Sequence, residues 1–338
     1  MNSNISSPIS SSTSNTNTDK LVSFVIPHKG RETMLLQTLD SIKQQTLDAD
    51  KYEVIIVSQN ENVSHTLAEY ERHFSLTVMH NDDANSISHS RNIGAAKATG
   101  TYLAFLDADV SLAANYATIM FQTLQQTPSL ALAAAMQINS EHAPPLERIR
   151  TALSNAELDT TVSFLPGRNL FLHRDTFATV GGFPEHLLTC EDYYFTGQVS
   201  EHGGLYYTSK THYVHLGEDK AFGPMFKKEI WRGQSNIAST SGRPIPLREL
   251  PSFIVPFAVT LGVLFLLICL LYSHTNFAIM FSIIAGAPLL AYTFRLKKLV
   301  GKTVSFFNCL RFYLVYFPAR AIGTVLGVRG AVTTSSHK

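Results

Sequence analysis

Two uncharged apolar runs near the C-terminus constrain this chain more than any other feature. Phe253–Tyr272 and Phe277–Phe294 contain no Asp, Glu, Lys or Arg, and only the polar break Ser273–Asn276 separates them. Each is about as long as a helix needs to be to cross ~30 Å of hydrocarbon. Arg243 and Arg248 precede the pair, and Arg295, Lys297, Lys298 and Lys302 follow it, while the break carries neither Lys nor Arg. Positive flanks mark the cytoplasmic side. Residues 251–294 therefore predict a transmembrane hairpin with both ends in the cytoplasm, in a multi-pass protein of the cell (inner) membrane. A buried helical hairpin of a soluble domain is the alternative.

The rest of the chain is arranged around that anchor. Met1–Thr18 is almost entirely Ser, Asn and Thr, so residues 1–20 are expected to be a disordered tail; the tail lacks the basic-then-apolar layout of a signal peptide. Val304–Gly327 is apolar and aromatic but carries Arg311, Pro318 and Arg320. Residues 295–330 are expected to form an interfacial helix whose arginines snorkel toward lipid phosphates, or else a third span. Residues 331–338 are expected to be a flexible tail. Lys+Arg 27 against Asp+Glu 26 leaves a net charge of +1, which argues against nucleic-acid binding driven by bulk charge. Cys190, Cys269 and Cys309 show neither metal spacing nor a disulfide framework.

Between tail and hairpin, short apolar runs alternate with helical periodicity. Leu21–Pro27, Tyr52–Ser58, Leu76–His80 and the run from Tyr102 read as strands. Leu35, Leu39 and Ile42 recur at helical spacing, Asn62–Phe74 reads as a helix, and Ile87–Thr99 reads as a helix closed by Gly100. This is the βαβ pattern of an α/β sheet with right-handed crossovers. Further on, Asn115–Thr127 reads as a helix, Leu130–Ile138 as a strand and Arg174–Val180 as a short helix. Glu191–Glu201 reads as a helix, and Leu205–Leu216 as two short strands.

The centre of the domain is Tyr-Leu-Ala-Phe-Leu-Asp-Ala-Asp-Val, residues 102–110. An unalternating apolar run fits a strand buried on both faces, and Asp107 and Asp109 then fall at its C-terminal end, where open α/β sheets place ligands. Two carboxylates there suit a hard divalent cation holding a diphosphate. An ordinary Asp-containing turn explains the same residues.

Three more stretches join this one in order. They are Val-Ile-Pro-His-Lys-Gly-Arg at 25–31, Ser-Arg-Asn-Ile-Gly-Ala-Ala at 90–96, and Gly181-Gly182-Phe183-Pro184 followed by Glu191-Asp192. Together the four resemble the family 2 glycosyltransferases of GT-A fold over roughly Leu21–Leu216. The resemblance implies an α/β Rossmann-like mixed-sheet catalytic domain over residues 21–240. It also implies a nucleotide-sugar donor, a divalent cation (Mg²⁺ or Mn²⁺) and inversion at the anomeric carbon.

By the same resemblance Asp109 ligates the metal, Asp107 touches ribose or metal, and His215 joins the metal. Asp192 is the catalytic base and Glu191 orients the acceptor. Pro27, Arg31, Gln59, Arg91 and Asn92 fall on the nucleotide-sugar side, with Asn92 supporting the loop of Arg91. Lys228–Asn236, with Trp231 and Arg232, is either a mobile helix closing over the diphosphate or an interface element. Ser58, Gln59 and Asn60 stand where many relatives carry acidic residues for the nucleoside. The Gln-x-x-Arg-Trp signature of processive synthases is missing, so addition of a single sugar fits better. The expected activity is that of a metal-dependent hexosyltransferase using a lipid-linked or saccharide acceptor at the membrane, in surface polysaccharide synthesis. The competing readings are a sugar nucleotidyltransferase and a non-catalytic membrane scaffold.

Overall fold

A computed structural model describes residues 20–61, 65–82, 84–187, 189–235, 237, 239, 247 and 250–335. The tail at 1–19, the flanking Arg243 and Arg248, and residues 336–338 lie outside the described residues.

Four strands build a parallel half-sheet: β1 (Val22–His28), β2 (Tyr52–Ser58), β3 (Ser75–His80) and β4 (Tyr102–Leu106). Their crossovers include α1 (Glu32–Lys43) and α2 (Ile87–Lys97). β1 and β2 are buried along their whole length, as strands covered on both faces must be. The second half is mixed. It contains β5 (Val110–Leu112), α3 (Tyr116–Gln126), β6 (Leu130–Ile138), α4 (Pro145–Ser154), β7 (Thr160–Val162) and β8 (Asn169–His173). It continues through α5 (Arg174–Val180), α6 (Glu191–Val199), β9 (Gly204–His215) and α7 (Phe222–Gly233). The strand order is β3-β2-β1-β4-β8-β6-β9-β5, with β7 on β9. β8 runs antiparallel to both β4 and β6. The C-terminal ends of β1 and β4 thus face a crevice that the second half of the sheet closes.

Glycines set two close approaches. A Cβ on Gly94 would lie 2.5 Å from Val25 Cγ1 and 3.1 Å from Val57 Cγ2, so only glycine lets α2 settle onto β1 and β2 at this depth. Gly100 was expected to stop α2, but the helix ends at Lys97 with an extended Ala98. Gly100 instead passes beside β1, where a Cβ would meet Ser23 N at 2.7 Å.

Two further expectations are corrected. His65–Arg72 is a run of 3-10 turns rather than an α-helix; Leu67 and Tyr70, both buried, are three residues apart, a period that suits a 3-10 turn as well as an α-helix. β9 is one strand of 12 residues rather than two. Its pairing with β6 shifts register between Ala135 and Met136. The Asp159 carboxylate accepts from the Ser209 N–H at 2.8 Å and the Ser209 hydroxyl at 2.6 Å, and so holds the irregularity in one continuous strand.

Beyond the sheet lie α8 (Leu250–Leu271), α9 (Thr275–Val300) and α10 (Phe306–Ser335). Three helices among the described residues are long and apolar enough to cross a membrane. α8 and α9 pack as a hairpin, with Gly262 so close that a Cβ there would meet Ala285 Cβ at 2.9 Å. α10 differs from them: 44 % of its apolar window is buried within the protein, against 22 % for each partner of the hairpin. Its buried face sits on α7, where a Cβ on Gly233 would meet Gly323 Cα at 2.9 Å. The helix continues to Ser335, past the expected boundary at 330.

Candidate active site

A cleft of about 500 Å³ opens at the C-terminal ends of β1 and β4, and α6, β9, α7 and α10 close it. Pro27, Arg31, Arg91, Asp107, Asp109, Glu191, Asp192, His215 and Arg232 all line it. Gln59 and Asn92 do not. The Gln59 amide donates to the carbonyls of Asp82 and Asn85 at 2.9 and 2.8 Å, tying the loop before α2 to the end of β2. Asn92 bolts two motifs together. Its Nδ2 donates to the Phe183 carbonyl at 2.9 Å, and its Oδ1 accepts from the Phe183 N–H at 2.8 Å. Gly182, with φ +87°, is needed at this contact because a Cβ would meet Asn92 Oδ1 at 2.8 Å.

Arg91, expected on the donor, has its guanidinium committed to the protein. Its side chain is 2 % exposed. Nη1 donates to Glu191 Oε1 at 2.8 Å and Nη2 to Asp107 Oδ1 at 2.9 Å, and the group lies over the Phe183 ring. The nearby carboxylates hold the guanidinium firmly protonated against its burial. A buried cation needs such partners, so Arg91 acts as a clamp that fixes one carboxylate from each side of the cleft. Glu191 is correspondingly occupied.

Asp192 is the free member of its pair. In the first turn of α6, its Oδ2 accepts from the Gly167 N–H at 2.9 Å and its Oδ1 from the Tyr193 N–H at 2.8 Å. Burial and the Glu191 charge push its pKa up to about 6, against the pull of those hydrogen bonds and of Arg91. The environments of this pair thus differ, with Glu191 clamped by Arg91 and the Asp192 carboxyl pushed up.

Across the cleft, Asp109 is buried beside His215. His215 Nε2 lies 3.4 Å from Asp109 Oδ1, and Nδ1 lies 3.1 Å from Glu218 Oε2. Burial alone would raise the Asp109 pKa, but His215, Arg31 and Lys228 outweigh it and hold the carboxyl low. His215 is pushed up, because Asp109 and Glu218 overcome its own burial. Arg31, its backbone in the left-handed region at φ 33°, reaches Asp109 Oδ2 at 2.9 Å with a side chain that is 60 % exposed.

Among the described residues no cluster of three or more His, Cys, Asp or Glu could by itself hold a metal ion. The residues present fit a cation shared with a ligand. Asp109 and His215 offer an oxygen and a nitrogen side by side, and Glu218 orients the imidazole as outer carboxylates do at metal sites. Gly217 lets the chain after β9 pack directly against Asp109, since a Cβ there would collide with Asp109 Oδ2. Mg²⁺ commonly takes only one or two protein carboxylates and completes its shell from phosphates and water.

Sequence reasoning missed Arg168, Arg150 and Glu218. Arg168 Nη1 donates to Gln137 Oε1 at 2.9 Å, and its Nη2 pairs with Glu218 at 3.5 Å. Arg150 pairs with Glu218, Asp219 and Glu229. Arg320, expected to snorkel toward lipid phosphates, instead turns inward from α10, pairs with Glu229 at 3.7 Å and lines the cleft. Only Glu218 left a signal, three residues after His215.

An α/β domain of this topology, with paired carboxylates beyond its central strand and a second pair across one cleft, has the make-up of a GT-A glycosyltransferase. Residues 23–181 match glycosyl transferase family 2. It is 24 % identical over 230 residues to glycosyltransferase AglE of Haloferax volcanii, covering 66 % of this chain and 75 % of that protein. It is also 24 % identical over 197 residues to the O-antigen chain rhamnosyltransferase RfbN of Salmonella typhimurium, covering 54 % of this chain and 62 % of that one. Its fold is similar to that of mannosyltransferase PcManGT from Pyrobaculum calidifontis, solved in complex with GDP-Man and Mn²⁺. The TM-score is 0.60 at 15 % identity, covering 91 % of this chain and 86 % of the other. The protein is thus a glycosyltransferase of GT-A fold with apolar C-terminal helices.

Proposed function

We propose that the protein transfers one sugar, with inversion, from a nucleotide-diphosphate sugar to a lipid-linked or saccharide acceptor at the cytoplasmic face of the cell membrane, in assembly of a surface polysaccharide. The observation that carries this reading is the convergence of the Asp109–His215 pair and Asp192 on one cleft.

In this reading Asp192 accepts the proton of the acceptor hydroxyl as the acceptor oxygen bonds to the anomeric carbon and the nucleoside diphosphate departs. A pKa near 6 suits a base working close to neutrality. Arg91 and Glu191 keep that carboxylate in place, and the Gly167 N–H fixes its orientation. Asp109 and His215, with the outward edge of Asp107, would hold Mg²⁺ or Mn²⁺, whose charge offsets that of the leaving diphosphate. Arg31, whose side chain is 60 % exposed, is placed to exchange Asp109 for a phosphate oxygen, and Arg232 borders the same space.

The α8–α9 hairpin anchors the domain, with its basic flank toward the cytoplasm. α10 lies along the bilayer surface. Its inner face rests on α7, whose Lys227, Lys228, Glu229 and Arg232 are costly to place in hydrocarbon.

The test is a screen of purified full-length protein against a panel of nucleotide sugars, with products read by mass spectrometry. Transfer is expected with Mg²⁺ or Mn²⁺ and is lost on chelation, and Asp109→Ala and Asp192→Ala each remove it. Full activity in both variants would refute the assignment.

A further inference from the structure

The cleft does not end at Asp192. Past Phe164 and Pro166 it continues into a second cavity of about 840 Å³, and the two share Arg150, Phe164, Pro166, Arg168 and Tyr316. One wall comes from α4 and the segment joining β7 to β8. The other comes from the last turns of α9 and the second and third turns of α10. The cavity therefore links the base to the apolar helices and has the size of a ligand pocket.

Its lining is amphipathic in an ordered way. Tyr292, Leu296, Phe312 and Tyr313 form an apolar and aromatic surface, with Leu299 exposed at 39 % on the same wall. Two kinds of cation border it. Arg150 and Arg168 are matched by Glu218, Asp219 and Glu229. Arg295 and Lys298 are exposed and meet no carboxylate within salt-bridge distance among the described residues; Glu157 is the one acidic residue on the cavity wall among them. A free saccharide would call for carboxylates and amides here, where the cavity offers tyrosine, leucine and uncompensated positive charge.

We propose that this cavity seats a lipid carrying a phosphate or diphosphate, which is the anchor of the acceptor. The anion sits against Arg295 and Lys298. The start of the apolar tail follows Tyr292, Phe312 and Tyr313 and leaves along α9 into the bilayer. The sugar end then points through the opening at Phe164 and Pro166 toward Asp192. This rests on the transferase reading and narrows its acceptor to one chemical class.

Binding separates the two ideas better than turnover does. Full-length protein in detergent is titrated with a fluorophore-labelled polyprenyl diphosphate, followed by anisotropy. Unlabelled polyprenol and inorganic pyrophosphate serve as competitors, and nucleoside diphosphate with Mn²⁺ is titrated separately by calorimetry. The double variant Arg295→Gln/Lys298→Gln is expected to weaken lipid binding about tenfold or more, and Leu299→Glu to weaken it comparably. Nucleotide binding is expected to be unchanged in both, which also shows that both fold. Unaltered lipid affinity in the double variant overturns the proposal. So does equal competition by neutral polyprenol, which would mark a plain apolar slot, or by pyrophosphate, which would mark a site for free phosphate. Lipid binding in a protein that takes no nucleotide sustains the cavity assignment and removes the transfer reading instead.

Discussion

Asp192→Asn separates catalysis from stability in a way that can be worked from the structure. An ordinary Asp titrates near 3.8, and in the cleft Asp192 is pushed up to about 6 by burial and by Glu191. At ~1.4 kcal/mol per pH unit, holding the anion in the folded protein costs roughly 3 kcal/mol well above pH 6. Asparagine removes that charge. It also leaves one of the Gly167 and Tyr193 N–H groups without its acceptor, which costs about 1–3 kcal/mol. The charge cost is on the order of the larger of these figures, so the variant should be at least as stable as wild type at pH 8, with a melting temperature equal or higher by a few degrees.

The sign follows from the raised pKa. Protonation favours the folded state, so wild-type stability is complete below pH 3.8 and drains away as pH rises through about 6. The gap in favour of the variant should close by about pH 4. Activity should fall by about 10²–10⁴-fold, and the wild-type rate should climb with pH up to about 6 and then level. The assay pairs melting curves at pH 8 and pH 4.5 with initial rates in detergent. A variant that is active, or less stable than wild type at pH 8, refutes the reasoning.

Three further outcomes are expected. Arg91→Met strands Asp107 and Glu191 beside each other and should cost about 3–5 kcal/mol in thermal unfolding; Arg91→Lys should recover little, since one ammonium cannot span both carboxylates. Asp109→Asn should weaken Mn²⁺-dependent nucleotide binding by at least about tenfold in calorimetry while leaving metal-free binding nearly unchanged. Gly323→Val places a side chain against the Ile230 carbonyl and Gly233, and should lower the melting temperature by several degrees and raise the rate of proteolysis at α10.

Much of the fold was legible because its strands are short apolar runs that must be buried. β2, β6 and α5 begin and end where the sequence places them. The errors came where one local pattern serves two structures. Leu67 and Tyr70 satisfy a three-residue turn as readily as an α-helix, and a glycine after a helix can mark a stop or, like Gly100, a close crossing of another strand. At the site, the motif carboxylates were readable because they stand next to strand ends and helix starts. The two carboxylate partners of Arg91 were not, because a guanidinium beside a motif looks the same whether it faces a ligand or a carboxylate. What turns it inward is the depth to which Gly94 lets α2 sink. Arg150 and Arg168 carry no motif at all; they meet Glu218 only through the tertiary fold.

The glycine contact between α7 and α10 has a mechanical consequence. Trp231 and Arg232 border the cleft from a helix whose opposite side is keyed, backbone to backbone, into the apolar α10. In the proposed arrangement, with α10 at the bilayer, a tilt of α10 would carry that wall with it, and lipid thickness would bear on the width of the catalytic mouth.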